Sequence, residues 1–464
     1  MKVKLLTLIV LFAIFATGCN APDNSSQLIQ KYDAISKIMV RNALTNRTGY
    51  KWLKDFLKIG PRLSGSPGNF KAIEWIKNKM KEIGLDSVWL QECKVPHWVR
   101  GNVEKAWLLN NKGEKIKALH IADLGGSIGT PPKGLTGNVV EVSSFEELKM
   151  LGPKAKNKII FFNEKFDYGE VNTFIAYSKA VKKRVYGAIE AAKVGAKALL
   201  IRTVGSSYDN KPHTGNMHYA ENVKKIPAAA LGAIDSDYLS SVLRHHPDYK
   251  IKLKMNCKNL PDTISYNVIG ELRGSKFPNE VIVIGGHLDC WDKGVGAHDD
   301  GAPALQTLET LDLIKRLNLK PDRTIRCVLF ANEENGLNGG KTFGKYAAND
   351  KNEKYIAAIE SDRGAFTPRG FSVKANKNVL KKIQSWLPVL NNALIDWIKK
   401  GGSGADVGQI KNVIASIGYV PDTQRYMDLH HSANDTFDKV HPREMELGTA
   451  AIATLVYLIS QEGL

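Results

Sequence analysis

Val281-Ile282-Val283-Ile284-Gly285-Gly286-His287-Leu288-Asp289 is the stretch on which the fold turns. Its four apolar residues run without alternation, as in a strand buried on both faces of a helix-covered sheet. A helix pattern follows at 303–317, with Pro303 in its first turn and Leu305, Leu308 and Leu311 at three-residue spacing. Further apolar strands are expected at 325–330, 355–359 and 413–417. Strands alternating with helices predict an α/β fold, a mostly parallel mixed sheet with helices on both faces.

Upstream, Gly60-Pro61-Arg62-Leu63-Ser64-Gly65-Ser66 is rich in turn formers. Phe70, Ile73, Ile76, Met80 and Ile83 mark a helix that Gly84 stops, and a short strand is expected at 88–90. Glycine and proline punctuation from Gly125-Gly126 to Pro131-Pro132-Lys133-Gly134 opens a separate unit, expected over 125–258. It has a strand at 158–162, a short Ala-rich helix at 187–195 and further strands at 198–201 and 226–230. His213 and His218 fall inside it without an acidic cluster beside them. The catalytic unit is thus expected in two parts, 31–124 and 259–464.

With 464 residues the chain exceeds one ordinary core. The formal charge of +18 invites a nucleic-acid reading, but Lys and Arg are scattered, without a basic run or aromatic interleaving. A basic surface and no nucleic-acid partner is the better account. Lys2 and Lys4 precede an apolar run over 5–16 that ends in Ala16-Thr17-Gly18-Cys19, which resembles a lipobox. Residues 1–18 are read as a signal peptide and 19–30 as a flexible tether lipidated on Cys19. That makes an exported lipoprotein of a bacterial cell envelope, held to the membrane by its lipid. Cys93, Cys257, Cys290 and Cys327 have no metal-site spacing; an exported chain allows one disulfide among them, which sequence does not pair, and free thiols are the default expectation.

The chemistry gathers at strand ends, where open α/β sheets bind ligands. Gly286-His287-Leu288-Asp289, Asn332-Glu333-Glu334 and Glu360-Ser361-Asp362 each follow an expected strand. Loops add His298-Asp299-Asp300-Gly301 and His430-His431-Ser432-Ala433-Asn434-Asp435-Thr436. Singly, each has a bland reading: a turn, an acidic helix start, surface decoration. Together they supply the imidazoles and carboxylates that a two-metal hydrolytic site needs. His245-His246, in a polar loop without carboxylates, gets no role.

These motifs resemble the co-catalytic zinc aminopeptidase and glutamate carboxypeptidase family, nearest its carboxypeptidase Q branch, over nearly the whole chain beyond Gly60. Gly187-Ala188-Ile189-Glu190-Ala191-Ala192 and Pro212-His213-Thr214-Gly215 resemble that branch's protease-associated domain, so the insert is expected to be one. The resemblance implies two zinc ions per chain, held by His287, Asp299, Glu334, Asp362 and His431, with Asp299 bridging. His431 is preferred to His430 from the His-x-x-x-Asp-Thr register with Asp435 and Thr436. Asp289 would orient His287, the Asp299–Asp300 peptide would be cis, and Asp406 would be a further, non-catalytic pocket acid. Glu333 would be the general base for a metal-bridging hydroxide acting on dipeptides or short peptides with free termini. A broader aminopeptidase for longer peptides is the alternative, and a catalytically inactive receptor-like protein or a glutaminyl cyclase are remote ones. A homodimer is implied as well. Arg363 and Pro303 depart from the family pattern; Arg363 would bind an anionic substrate group or simply be surface.

Overall fold

The computed structural model describes residues 24–464, with side chains from residue 29. The expected signal peptide and Cys19 lie outside the described residues. Among those described, no helix is long and apolar enough to cross a membrane.

The catalytic sheet has eight strands, in the order Ser87–Val99, Lys258–Leu272, Arg323–Phe330, Phe277–His287, Lys354–Glu360, Val413–Pro421, Pro368–Lys374 and Trp397–Lys400. The four strands from Arg323–Phe330 to Val413–Pro421 are mutually parallel, with antiparallel neighbours on either side. Alternate side chains of strand Phe277–His287 feed different cores. Ile282 and Ile284 join Leu305, Leu308 and Ile452 on one face, whereas Val281 and Val283 join Phe330 and Phe343 on the other. This two-sided burial is why the strand reads as an unbroken apolar run. Helices Ala302–Arg316 and Pro442–Glu462 cover the first face.

The second sheet corrects the expected boundary at residue 125. It also has eight strands, and Glu104–Leu109, Lys115–Leu119 and Ile121–Asp123 belong to it. The Gly/Pro punctuation at 125–134 is therefore a connection inside the insert. The chain enters and leaves through a long antiparallel ribbon, Ser87–Val99 against Lys258–Leu272. Within the insert, helix Thr173–Lys193 runs well upstream of the expected Ala-rich segment and is capped by Asn172, whose side chain accepts from the Phe174 amide. Its lysine-rich first half hides the helical period from an apolar-spacing reading.

The N-terminal tether is a second correction. A helix begins at Asn24 and runs to Asn46, burying Tyr32, Met39 and Ala43 in the main core. Tyr32 meets Tyr457 of the C-terminal helix edge to face, with ring centroids 6.3 Å apart. Helix Pro67–Ile83 fits its expected bounds, starting on a Ser66 cap and ending on left-handed Gly84. All four cysteines beyond Cys19 are buried free thiols.

Candidate metal centre

Three neighbouring parallel strands end at one rim of the catalytic sheet, and each delivers part of a buried acidic and imidazole cluster. His287 closes its strand, Glu333 and Glu334 follow strand Arg323–Phe330, and Asp362 follows strand Lys354–Glu360. Gly286 must be glycine here, because a Cβ would collide with the carboxylate of Asp300. That carboxylate accepts the His287 amide at 2.9 Å.

The imidazole of His287 is oriented at its Nδ1, which donates to the Asp289 carbonyl at 3.0 Å; the Asp289 carboxylate is farther, at 3.7 Å. Asp289 uses that carboxylate elsewhere, accepting from Ser64 at 2.9 Å and from the Glu333 amide at 3.1 Å. It thereby ties the first strand end to the second. With Nδ1 protonated, Nε2 of His287 is left as a lone-pair donor, 3.4 Å from Asp299 and 3.5 Å from Asp362.

His431 mirrors this arrangement from the late loop. Its Nδ1 lies 3.3 Å from the Thr214 carbonyl of the insert, and its Nε2 is 2.9 Å from Glu334 and 3.2 Å from Asp299. The backbone of His431 is left-handed, φ 57°. His430 also approaches Asp299, at 3.3 Å, and stacks on His431 with centroids 3.7 Å apart. Asp299 thus lies between both histidine groups. The Asp299–Asp300 peptide is cis.

Side chains without obvious signals hold these groups. Asp435 accepts the His298 and Asp299 amides at 2.7 and 3.0 Å and so fixes the loop that carries Asp299. Arg62, fully buried, donates to the carbonyls of Leu288, Val295 and Gly296, pinning both ends of the loop after His287. Sequence reading marked the stretches around Arg62 and Asp435 but not these hydrogen bonds. Asp300 was quoted only as the partner of Asp299. Asp406 is buried beside Glu360 and does not line the cavity.

The donor set fits divalent cations. Nε2 of His287 and Oδ2 of Asp299 are buried without a hydrogen-bond partner. Ligand atoms of Asp299, Glu334 and His431 lie within 4.8 Å of one another, as do those of His287, Asp300 and Asp362. In the second group Asp300 is already engaged by the His287 amide, whereas Asp299, at 3.4 Å, is as near to Nε2 of His287 as Asp362 is at 3.5 Å. Burial, reinforced by Asp362 and Glu334, pushes the Glu333 carboxyl well above its usual range. Burial also raises Glu334, to about 7. Against the burial that opposes it, Asp300, Asp299 and Asp362 hold the His287 imidazole well above its own. Such a surplus of buried negative charge is stable when cations neutralise it.

The cluster opens on a cavity of about 430 Å³, lined by Glu333, Asp299, Asp362 and His431. Its facing wall comes from the insert: Phe174, Tyr177, Arg184, Asn216 and His218. Trp291, just past His287, locks the two units together. It packs in the insert's core beside Trp98, with centroids 6.2 Å apart, against a backbone at Gly125 that leaves no room for a side chain. His218 therefore has a place at the site, and His213 stacks on His431, although no acidic cluster stands beside either in the chain.

Known proteins settle the family. The profile described as "Peptidase family M28" matches residues 267–456, which include all the strand-end residues above. Carboxypeptidase Q of Bos taurus is 38% identical over 407 residues, covering 87% of this chain and 83% of the relative. The chain belongs to peptidase family M28. Carboxypeptidase Q of Homo sapiens matches to the same extent. An M28 peptidase precursor from Shewanella amazonensis superposes with a TM-score of 0.87 at 32% identity, over 93% of this chain and 97% of its own. A zinc aminopeptidase from Bacillus subtilis shares the fold, at TM-score 0.63 and 20% identity over 88% of this chain and 93% of its own. Membership in the M28 family makes the chain a metallopeptidase, and the matched residues include this rim.

Proposed function

We infer that this M28 peptidase is a two-zinc exopeptidase that hydrolyses dipeptides or short peptides with free termini. The observation that carries the reading is Asp299, whose carboxylate lies between His287 on one side and His431 on the other. His287 and Asp362 would complete one zinc site with it, and Glu334 and His431 the other. Zinc bound there would supply an acidified water and a polarised scissile carbonyl. Glu333, facing the cavity with its amide anchored on Asp289, would take the proton of the attacking water and return it to the leaving amine. The zinc assignment is supported by the donor chemistry and by the likeness to a zinc aminopeptidase.

The short-substrate reading draws on the insert, whose side chains wall the cavity opposite Glu333 and limit its volume to about 430 Å³. An aminopeptidase acting on longer chains would need that wall open on the leaving-group side. The test is a panel of dipeptides and of longer, C-terminally blocked peptides, assayed after chelation and after zinc is restored. Zinc-dependent cleavage favouring dipeptides is expected; equal cleavage of the blocked peptides would favour the alternative. The same reading includes export with a lipid on Cys19, supported by the lipobox-like Ala16-Thr17-Gly18-Cys19 and tested by mass spectrometry of the mature N-terminus. It also includes a homodimer, supported by the carboxypeptidase Q resemblance and tested by sedimentation.

A further inference from the structure

The antiparallel half of the insert's sheet carries charge that the fold does not balance. Residues 104–255 hold 24 lysines and arginines against 15 aspartates and glutamates, half of the chain's formal excess of +18. Scattered in the sequence, many of these cations gather on one surface. Strand Lys250–Met255 lies antiparallel between Glu104–Leu109 and the first half of Leu135–Val142. Ala106, Leu108, Ile251 and Leu253 point inward to one core. Lys105, Trp107, Lys250, Lys252 and Lys254 alternate with them and point outward. On that outward side the neighbouring parallel strands are covered by helices Phe145–Leu151 and Thr173–Lys193, through Leu148, Ala180 and Ala188; no residue of Glu104–Leu109 or Lys250–Met255 joins that packing. The lysine half of the sheet is bare.

Its lysines repel one another. Lys105 stands directly opposite Lys254 across the ladder, an arrangement that destabilises a sheet. Lys158 and Lys197 open the next two strands, Ile159–Phe162 and Ala198–Arg202, side by side. Burial, then the charges of Lys158 and Lys250, hold the Lys197 ammonium below its usual pKa. Lys115, on the edge strand, places its ammonium 4.5 Å from the centre of the Trp107 ring. Among the lysines of the three strands Glu104–Leu109, Lys115–Leu119 and Lys250–Met255, Lys117 alone has an ion pair, with Asp235 at 2.7 Å on the inner side. The acids nearest in the chain are engaged elsewhere: Glu104 by Arg100 and Lys293, and Glu114 by Asn110. An anion from outside relieves this repulsion.

We propose that this lysine face is a docking surface for a membrane rich in anionic phospholipid. Every charge on it is a lysine. Ammonium groups are hydrated point charges that neither clamp a phosphate in two places nor stack on bases, so they suit a diffuse negative field rather than a shaped ligand. They spread in two directions over adjoining strands, which matches a plane of headgroups better than a single linear polymer. Trp107, half-buried among them, and Ile116, 46% exposed on the edge strand, add the apolar contacts that settle at a membrane–water boundary. Each lysine near such a surface contributes about 1 kcal/mol, so several together hold the protein where one does not. The docking is separate from the peptidase chemistry, since none of these lysines lines the catalytic cavity, and it does not depend on a lipid at Cys19.

The test is co-sedimentation of the zinc-loaded chain, prepared without residues 1–19 and so without lipid, with vesicles of phosphatidylcholine alone or mixed equally with phosphatidylglycerol. It should bind the mixed vesicles, leave the neutral ones, and be released as salt is raised. Replacing Lys105, Lys252 and Lys254 together by Glu should weaken binding at least about a hundredfold, roughly fivefold for each lysine removed. Replacing Lys51, Lys54 and Lys345 by Glu makes the same change in net charge on the catalytic unit and should leave binding in place; both variants should keep wild-type dipeptide turnover. Failure of the wild type to bind mixed vesicles overturns the inference. An equal loss in the two variants also overturns it, because net charge and not this face would then be responsible. So does a face that binds single-stranded DNA or an acidic polysaccharide through the same lysines while ignoring vesicles. Should the glutamate variant of the face fail to fold, glutamine at the same three positions decides, and unchanged binding there counts against the inference.

Discussion

At the scale of single residues, the centre depends on which atoms are left over once the backbone is satisfied. Nδ1 of His287 and of His431 each meet a backbone carbonyl, so both rings present Nε2 to the carboxylates. The register predicts His431 as a ligand, and His430, though 3.3 Å from Asp299, has its Nδ1 buried without a partner. His431→Ala should therefore lose bound zinc, measured by elemental analysis, and His430→Ala should retain it; the opposite result would exchange their roles. Glu333→Gln should keep its zinc and lose about 10²–10⁴-fold in kcat, as removal of a general base does. Normal turnover in that variant would remove Glu333 from the chemistry. These residues were legible because histidine and acidic residues collect at the ends of apolar strands. Arg62 and Asp435 were less so, because each acts through partners far away in the chain, such as Asp435 on the His298 and Asp299 amides.

At the scale of elements, strands were read well where burial on both faces left an apolar run, as at 281–284 and 325–330. The insert's first strands escaped because Glu104–Leu109 and Lys115–Leu119 are half-exposed and carry lysine and glutamate, so punctuation at 125 looked like the border. Helix Thr173–Lys193 was shortened for a similar reason. The contact that matters most between elements is Trp291, which is 3% exposed and belongs to the insert's core although it follows the His287 loop. Trp291→Ala should cost about 3–5 kcal/mol, the range for removing a buried indole. Thermal unfolding should show the loss, together with reduced zinc retention, because the indole anchors the stretch whose main-chain amide at Trp291 donates to Glu334 at 3.2 Å. Unchanged unfolding would mean that Trp291 does not join the two units.

For the molecule as a whole, the most telling ionisable pair lies away from the active site. Glu309 and Glu446 are buried, interacting carboxyls in the core under helix Thr48–Phe56, whose Tyr50 amide donates to Glu446 at 3.0 Å. Burial first, then the charge of Glu309, pushes Glu446 up to about 10 from the usual 4.5. The folded chain thus keeps a proton that the unfolded chain releases above pH 4.5, so this pair's contribution is complete below that pH and is lost progressively as pH rises towards 10. Glu446→Gln should match wild type near pH 4 and be more stable by several kcal/mol near pH 8 in denaturant titrations, about 1.4 kcal/mol for each pH unit above 4.5. Equal stabilities at both pH values would show that the pair does not hold that proton. The same balance of buried charge governs the catalytic rim, where cations must offset what no proton or arginine does. The most direct measurement of that claim is anomalous scattering at the zinc edge from crystals grown with zinc. Two peaks per chain are predicted, one between His287, Asp299 and Asp362 and the other between Asp299, Glu334 and His431. A single peak, or density away from Asp299, would contradict it.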